Sequence, residues 1–125
     1  CHSSGAPAVK KHLEQAVAAA GLADQIEVRG VGCLKLCCQG PLVQADPSGI
    51  LFEKVAPETA AELIAELRKG STEAGLDPAQ NPFFARQRTI VLANSGLVDP
   101  ERIESYIAQD GYQALFSAIT EMTPP

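Results

Sequence analysis

Three of the four cysteines in this chain, Cys33, Cys37 and Cys38, fall within six positions, between a helical pattern upstream and a hairpin signature downstream. Gly32 and Gly40-Pro41 bracket the run, so the backbone must turn tightly there. Two cysteines separated by three residues in such a loop can direct both sulfurs at one centre, and thiolates are the ligands of iron–sulfur clusters and of zinc. Nothing at the start resembles a secretory signal. In that setting a cysteine cluster favours metal binding or redox chemistry over a disulfide framework. The fourth cysteine, Cys1, opens a second loop, Cys1-His2-Ser3-Ser4-Gly5, directly before the helical pattern. A helix N-terminus favours negative charge, which suits a thiolate-ligated anionic cluster, and amide donors near the sulfurs raise its reduction potential.

The elements around the cysteines follow from spacing. Val9, Leu13, Ala16, Val17 and Ala20 recur at helical intervals, Pro7 suits a first turn and Gly21 a stop, which predicts a helix from Ala6 to Ala20. Ile26 and Val28 alternate with Glu27 and Arg29 as a short strand would. Leu42–Ala45 and Ile50–Val55 read as two strands joined by Asp46-Pro47-Ser48-Gly49, a turn in which Pro sets φ and Gly accepts a positive φ. Ala60, Leu63, Ile64 and Leu67 form the apolar stripe of a helix from Pro57 to Lys69, closed by Gly70. Helix, strand, hairpin and helix become βαββα, a small thioredoxin-like α/β order, if one strand precedes Cys1.

Beyond this point the character changes. Residues 71–82 carry Gly75, Pro78, Asn81 and Pro82 and read as a linker. Thr89–Ala93 is an apolar strand pattern broken by Asn94-Ser95-Gly96. Asp99-Pro100-Glu101 has the form of a helix start, with Ile103, Tyr106 and Ile107 on one face, Gly111 as an interruption and Tyr112–Thr120 resuming helical spacing. Thr123-Pro124-Pro125 stops it. With 125 residues there is room for one ordinary domain, or a small domain and a piece of another. The start at Cys1, without Met, and the Pro-Pro end favour the second alternative, a fragment of a longer protein. Residues 1–70 form one unit, 71–82 a linker and 83–125 the opening of a second unit too short to bury a core alone.

Composition excludes other classes. At 46% hydrophobic and 20% charged residues the chain is globular in type, with no apolar run of membrane-spanning length. A net charge of −5 leaves no electrostatic footprint for nucleic acid.

Cys1-x-x-x-Gly5, a helix, then Cys33-x-x-x-Cys37-x-x-x-Pro41 leading to a hairpin resemble the thioredoxin-like [2Fe-2S] ferredoxins, a family that includes the 24-kDa-type subunit of respiratory complex I. The family pattern is Cys-x4-Cys followed by Cys-x3-Cys. On that pattern Cys1 matches the second ligand, Cys33 and Cys37 the third and fourth, and the first lies five residues before Cys1. Cys38 matches no ligand position. Phe83-Phe84-Ala85-Arg86-Gln87, Thr89–Glu101, Tyr106-Ile107-Ala108 and Gly111–Leu115 are similar to the opening of the NADH-binding flavoprotein family, the 51-kDa-type complex I subunit and its relatives. The two in this order look most like diaphorase flavoprotein subunits of bidirectional NAD-linked [NiFe] hydrogenases. The resemblance implies a cytoplasmic electron-transfer module and partner diaphorase and hydrogenase subunits. It also implies FMN, NAD and a [4Fe-4S] cluster further along the parent chain, whose site residues are not in this sequence. No catalytic residue is assigned.

Other readings stand beside this one. The same front end serves respiratory NADH:quinone oxidoreductases and NAD-dependent formate dehydrogenases. A structural zinc site is a second class, with His2 or Cys38 completing four ligands. Thiol–disulfide exchange is a third, disfavoured because no Cys-x-x-Cys opens the first helix. His2 and His12 read as exposed, Lys35 as a solubilising or charge-balancing loop residue, and Tyr106 and Tyr112 as packing groups.

Overall fold

The computed structural model describes residues 1–123, and Pro124 and Pro125, read above as a helix stop, lie outside them. It has mixed α/β character: helix α1 (Ala6–Ala19), a hairpin of β1 (Val43–Ala45) and β2 (Ile50–Phe52), helix α2 (Ala60–Arg68), then three short helices, α3 (Pro82–Ala85), α4 (Ile103–Ile107) and α5 (Gln113–Thr120). The expected first helix, hairpin and second helix are present, the first helix ending one residue early, at Ala19, β2 ending at Phe52, and the second helix running only from Ala60 to Arg68. A 3-10 turn, Pro57–Thr59, leads into α2.

Both long helices close in the same way. Gly21 stands at φ 66 beyond α1, its N–H donates to Ala18 O, and the Leu22 N–H donates to Val17 O at 3.0 Å. Gly70 at φ 74 repeats the arrangement beyond α2, with the Ser71 N–H on Glu66 O. A left-handed residue past the last turn lets orphan carbonyls find donors, and only Gly holds that φ without steric cost. The motif also folds Leu22 back into the core.

That core has one face of the hairpin as its floor. Antiparallel register pairs Val43 with Phe52 and Ala45 with Ile50, which puts these four on the same side of the pleat. Val9, Leu13 and Val17 of α1 and Ala60, Leu63 and Ile64 of α2 are buried together with Phe52 and Val55. The opposite face carries Gln44 and Leu51. Leu51 is 2% exposed, and Leu76 pairs beside it through a two-hydrogen-bond bridge, Leu51 N–H to Leu76 O at 2.9 Å and the reciprocal bond at 2.8 Å. Residues 71–82 are therefore more than a spacer. A Cβ on Gly75 would collide with Ile50 Cγ2, so the close approach requires glycine there.

Three sequence expectations are corrected. Ile26–Arg29 forms no strand: Ile26 and Val28 pack on the core and Glu27 and Arg29 point outward, but no ladder partner exists among the described residues. A side-chain alternation therefore stands without the cross-strand hydrogen bonds that define a sheet. Thr89–Ala93 is not a strand either. It turns on itself, with Ala93 N–H on Ile90 O and Ser95 N–H on Leu92 O, and leaves Val91 94% exposed. The helix expected at Asp99-Pro100-Glu101 begins only at Ile103. The Asp99 carboxylate instead accepts the Glu101 N–H at 3.0 Å in a local turn. The break at Gly111 occurs as expected, Tyr112 adopting φ 63 before α5. Among the described residues no helix is long and apolar enough to cross a membrane.

Candidate functional site

The second half of the cysteine run is held by backbone that leaves the hairpin. A 3-10 turn, Cys37–Gln39, carries Cys37 and Cys38. The chain leaving β2 pins it, Lys54 N–H donating to Gln39 O at 2.8 Å and Val55 N–H to Pro41 O at 3.1 Å. Anchoring a loop to the end of a packed hairpin positions its side chains more rigidly than the loop could by itself.

Cys1 lies against this turn. Its own loop is closed by Ser4 and Ala6 N–H groups on Cys1 O, each at 3.0 Å, as the chain enters α1. A Cβ placed on Gly40 would stand 2.8 Å from Cys1 Sγ and 3.5 Å from Cys37 O. Glycine at position 40 is thus the gap that admits the Cys1 sulfur beside the turn that begins with Cys37. Cys33 belongs to a separate bend, in which the Lys35 N–H donates to Cys33 Sγ at 3.2 Å. Lys35 holds φ 74, uncommon for a residue with a side chain.

All four cysteines are free thiols; Cys33, Cys37 and Cys38 are exposed and Cys1 half-buried. Their chemistry and the facing of the Cys1 loop on the Cys37 turn suit a thiolate-bound metal group. Among the described residues, however, no three His, Cys, Asp or Glu side chains stand together as a metal-holding group. The structure brings Cys1 to the Cys37–Gly40 turn and does not gather Cys1, Cys33 and Cys37 around one point. His12 is exposed and its ring bonds Ala8 O at 2.8 Å, while Tyr106 and Tyr112 pack edge to face, 5.1 Å between centroids.

Residues far along the chain complete the surroundings of Cys33. Ser95 Oγ donates to Cys33 O at 2.8 Å, and Lys35 Nζ donates to Thr89 Oγ1 at 2.6 Å. Gly96 packs so closely on Leu34 that a Cβ would come within 2.6 Å of Leu34 Cδ2. Nothing in the sequence around Thr89, Ser95 or Gly96 marks them as part of the site. They are separated from their partners by 54 and 62 positions, and no local pattern marks such a meeting.

A charged cluster ties the same two regions nearby. Glu27 accepts from Arg29 Nη2 at 2.6 Å and from Arg102 Nη1 at 2.7 Å. The Arg29 hydrogen bond, helped by that of Arg102 and opposed by desolvation, holds the Glu27 carboxyl below its ordinary range. Glu27 in turn raises the Arg29 guanidinium. Asp99, 7% exposed, sits in this region with its N–H on Ser105 Oγ at 3.0 Å. No protein-family model matches the chain.

Proposed function

We propose that this chain transfers single electrons through a [2Fe-2S] cluster, as part of the NADH-oxidising, NAD-reducing diaphorase module of a bidirectional hydrogenase. The observation that carries the reading is the seating of Cys1 against Gly40, which sets one thiol loop on the turn that begins at Cys37. Cys1, Cys33 and Cys37 would hold the group, with a further cysteine upstream of Cys1 as the resemblance implies. When bound, it supplies reversible one-electron chemistry. The chain's own part is to orient thiols on two anchored loops and to aim the Lys35 N–H at Cys33 Sγ, where an amide donor raises the potential of a thiolate-bound centre. Helices on one face of the hairpin and cysteine loops at its end are in keeping with a thioredoxin-like ferredoxin domain. Residues 83–125 then open an FMN- and NAD-binding flavoprotein domain, which docks with other subunits in the cytoplasm.

The test is electron paramagnetic resonance of the anaerobically iron-reconstituted, dithionite-reduced chain, lengthened upstream to include a cysteine five residues before Cys1. The expected outcome is the signal of one reduced [2Fe-2S] centre, lost on Cys33→Ala and on Cys37→Ala. A chain that takes up zinc, or keeps free thiols and no iron signal, is not an electron carrier of this kind.

A further inference from the structure

We propose that Thr89–Arg102 is a strap that positions the Cys33 sulfur, with Thr89 and Ser95 as its positioning residues. The inference deepens the electron-transfer reading and rests on it for the identity of the bound group, but not for the strap itself. Three contacts from this one segment converge on the bend that carries Cys33, and a fourth fixes its far end to Glu27, six residues before that bend. Ser95 Oγ holds the Cys33 carbonyl, Thr89 Oγ1 accepts from Lys35 Nζ, Gly96 sits on Leu34, and Arg102 pairs with Glu27. The strap also borders a cavity of about 160 Å³ against the second face of the hairpin, lined by Leu34, Lys35, Gln44, Leu51, Phe84 and Ser95.

The causal chain runs through Lys35. A residue bearing a side chain stays at φ 74 only where its surroundings over-determine it. The ammonium of Lys35, tied to Thr89, is one such restraint, and the Ser95 bond to the Cys33 carbonyl is another. That conformation brings the Lys35 N–H onto Cys33 Sγ. Thr89 and Ser95 thus act on the sulfur through Lys35 and the Cys33 backbone, without touching it. The apolar run from Ile90 to Leu92, left outside any sheet, spans the distance between the two anchor points.

Residue-resolved hydrogen exchange on the metal-free, reduced chain tests the strap directly. In the double variant Thr89→Val, Ser95→Ala the Lys35 amide is expected to exchange roughly fivefold faster, the effect of losing one ordinary hydrogen bond. The Gln39 and Gly40 amides, bonded to Leu36 O and Cys37 O in the neighbouring turn, should keep their rates. Gly32→Ala is an independent route to the same result, because its Cβ would come within 2.6 Å of Ser95 Oγ and turn that hydroxyl off the Cys33 carbonyl without altering the strap's sequence. An unchanged Lys35 amide, or an equal acceleration at Lys35, Gln39, Gly40 and the amides of α1, overturns the proposal. In the iron-reconstituted chain the double variant should also show a lower midpoint potential, since an amide donor to sulfur is weakened. If no cluster forms at all, the electron-transfer reading falls, and the exchange measurement still decides the strap.

Discussion

Residues 6–68 bury their apolar stripes, and residues 82–122 display theirs. In the first region Val9, Leu13, Val17, Leu63 and Ile64 sit in one core with Phe52 and Val55. In the second, Leu115, Phe116, Ile119 and Met122 along α5 and the turn after it are all more than half exposed, as are Ile103 and Ile107 of α4. Both regions have amphipathic helical spacing, so periodicity does not distinguish them. The difference is that α1 and α2 each have the other, and the hairpin, as a surface to cover, whereas α4 and α5 are too short to form a core between them. What the second region does contribute is concentrated at Thr89, Ser95, Gly96 and Arg102, on the Cys33 bend and Glu27. One region holds the fold and the other presses on the site.

Matched truncations give the largest contrast. Leu13→Ala, at a side chain 4% exposed, should lower unfolding stability by about 2–5 kcal/mol. Phe116→Ala, at a larger side chain, should stay within about 0.5 kcal/mol in the isolated chain. Chemical denaturation of both variants measures the difference, and equal losses would mean that α5 shares the core. A smaller effect sharpens the account of how the first region is closed. Gly21→Ala meets no atom within 4 Å, so any loss comes from backbone conformation alone, about 1 kcal/mol for a left-handed position. A neutral result by the same denaturation assay would remove the helix-stop role given to Gly21.

The smallest effect concerns the tether between the regions. The Glu27 carboxyl is depressed in the folded chain, so its contribution is present above its ordinary value of 4.5 and is lost as pH falls through the lowered folded value. Acid titration followed by nuclear magnetic resonance should therefore show the Arg102 signals moving in that window and not near neutrality. Glu27→Gln should abolish the acid-dependent step while leaving α1 and the hairpin intact. An Arg102 titration that persists in Glu27→Gln would assign the tether to another acid.

Local rules, acting over a few residues, were enough for α1, the hairpin turn, α2 and the glycine stops, since helix spacing, Pro-Gly turn chemistry and capping are short-range effects. They also marked the cysteine run, because Cys33, Cys37 and the bracketing glycines are close in sequence. Where the answer depended on a partner, they failed. Ile26–Arg29 and Thr89–Ala93 have the side chains of strands, but a strand exists only where a neighbouring edge supplies its hydrogen bonds, and none does so here among the described residues. In the same way, the order of residues determined that thiols and tight turns occur at positions 1 and 33–40. Only the tertiary structure decided that Cys1 fills the gap left by Gly40, and that Ser95 and Thr89 reach Cys33 and Lys35. The reason is that contacts across 39, 54 or 62 positions are set by how packed elements bring distant backbone together, and no periodicity in the intervening chain encodes that distance.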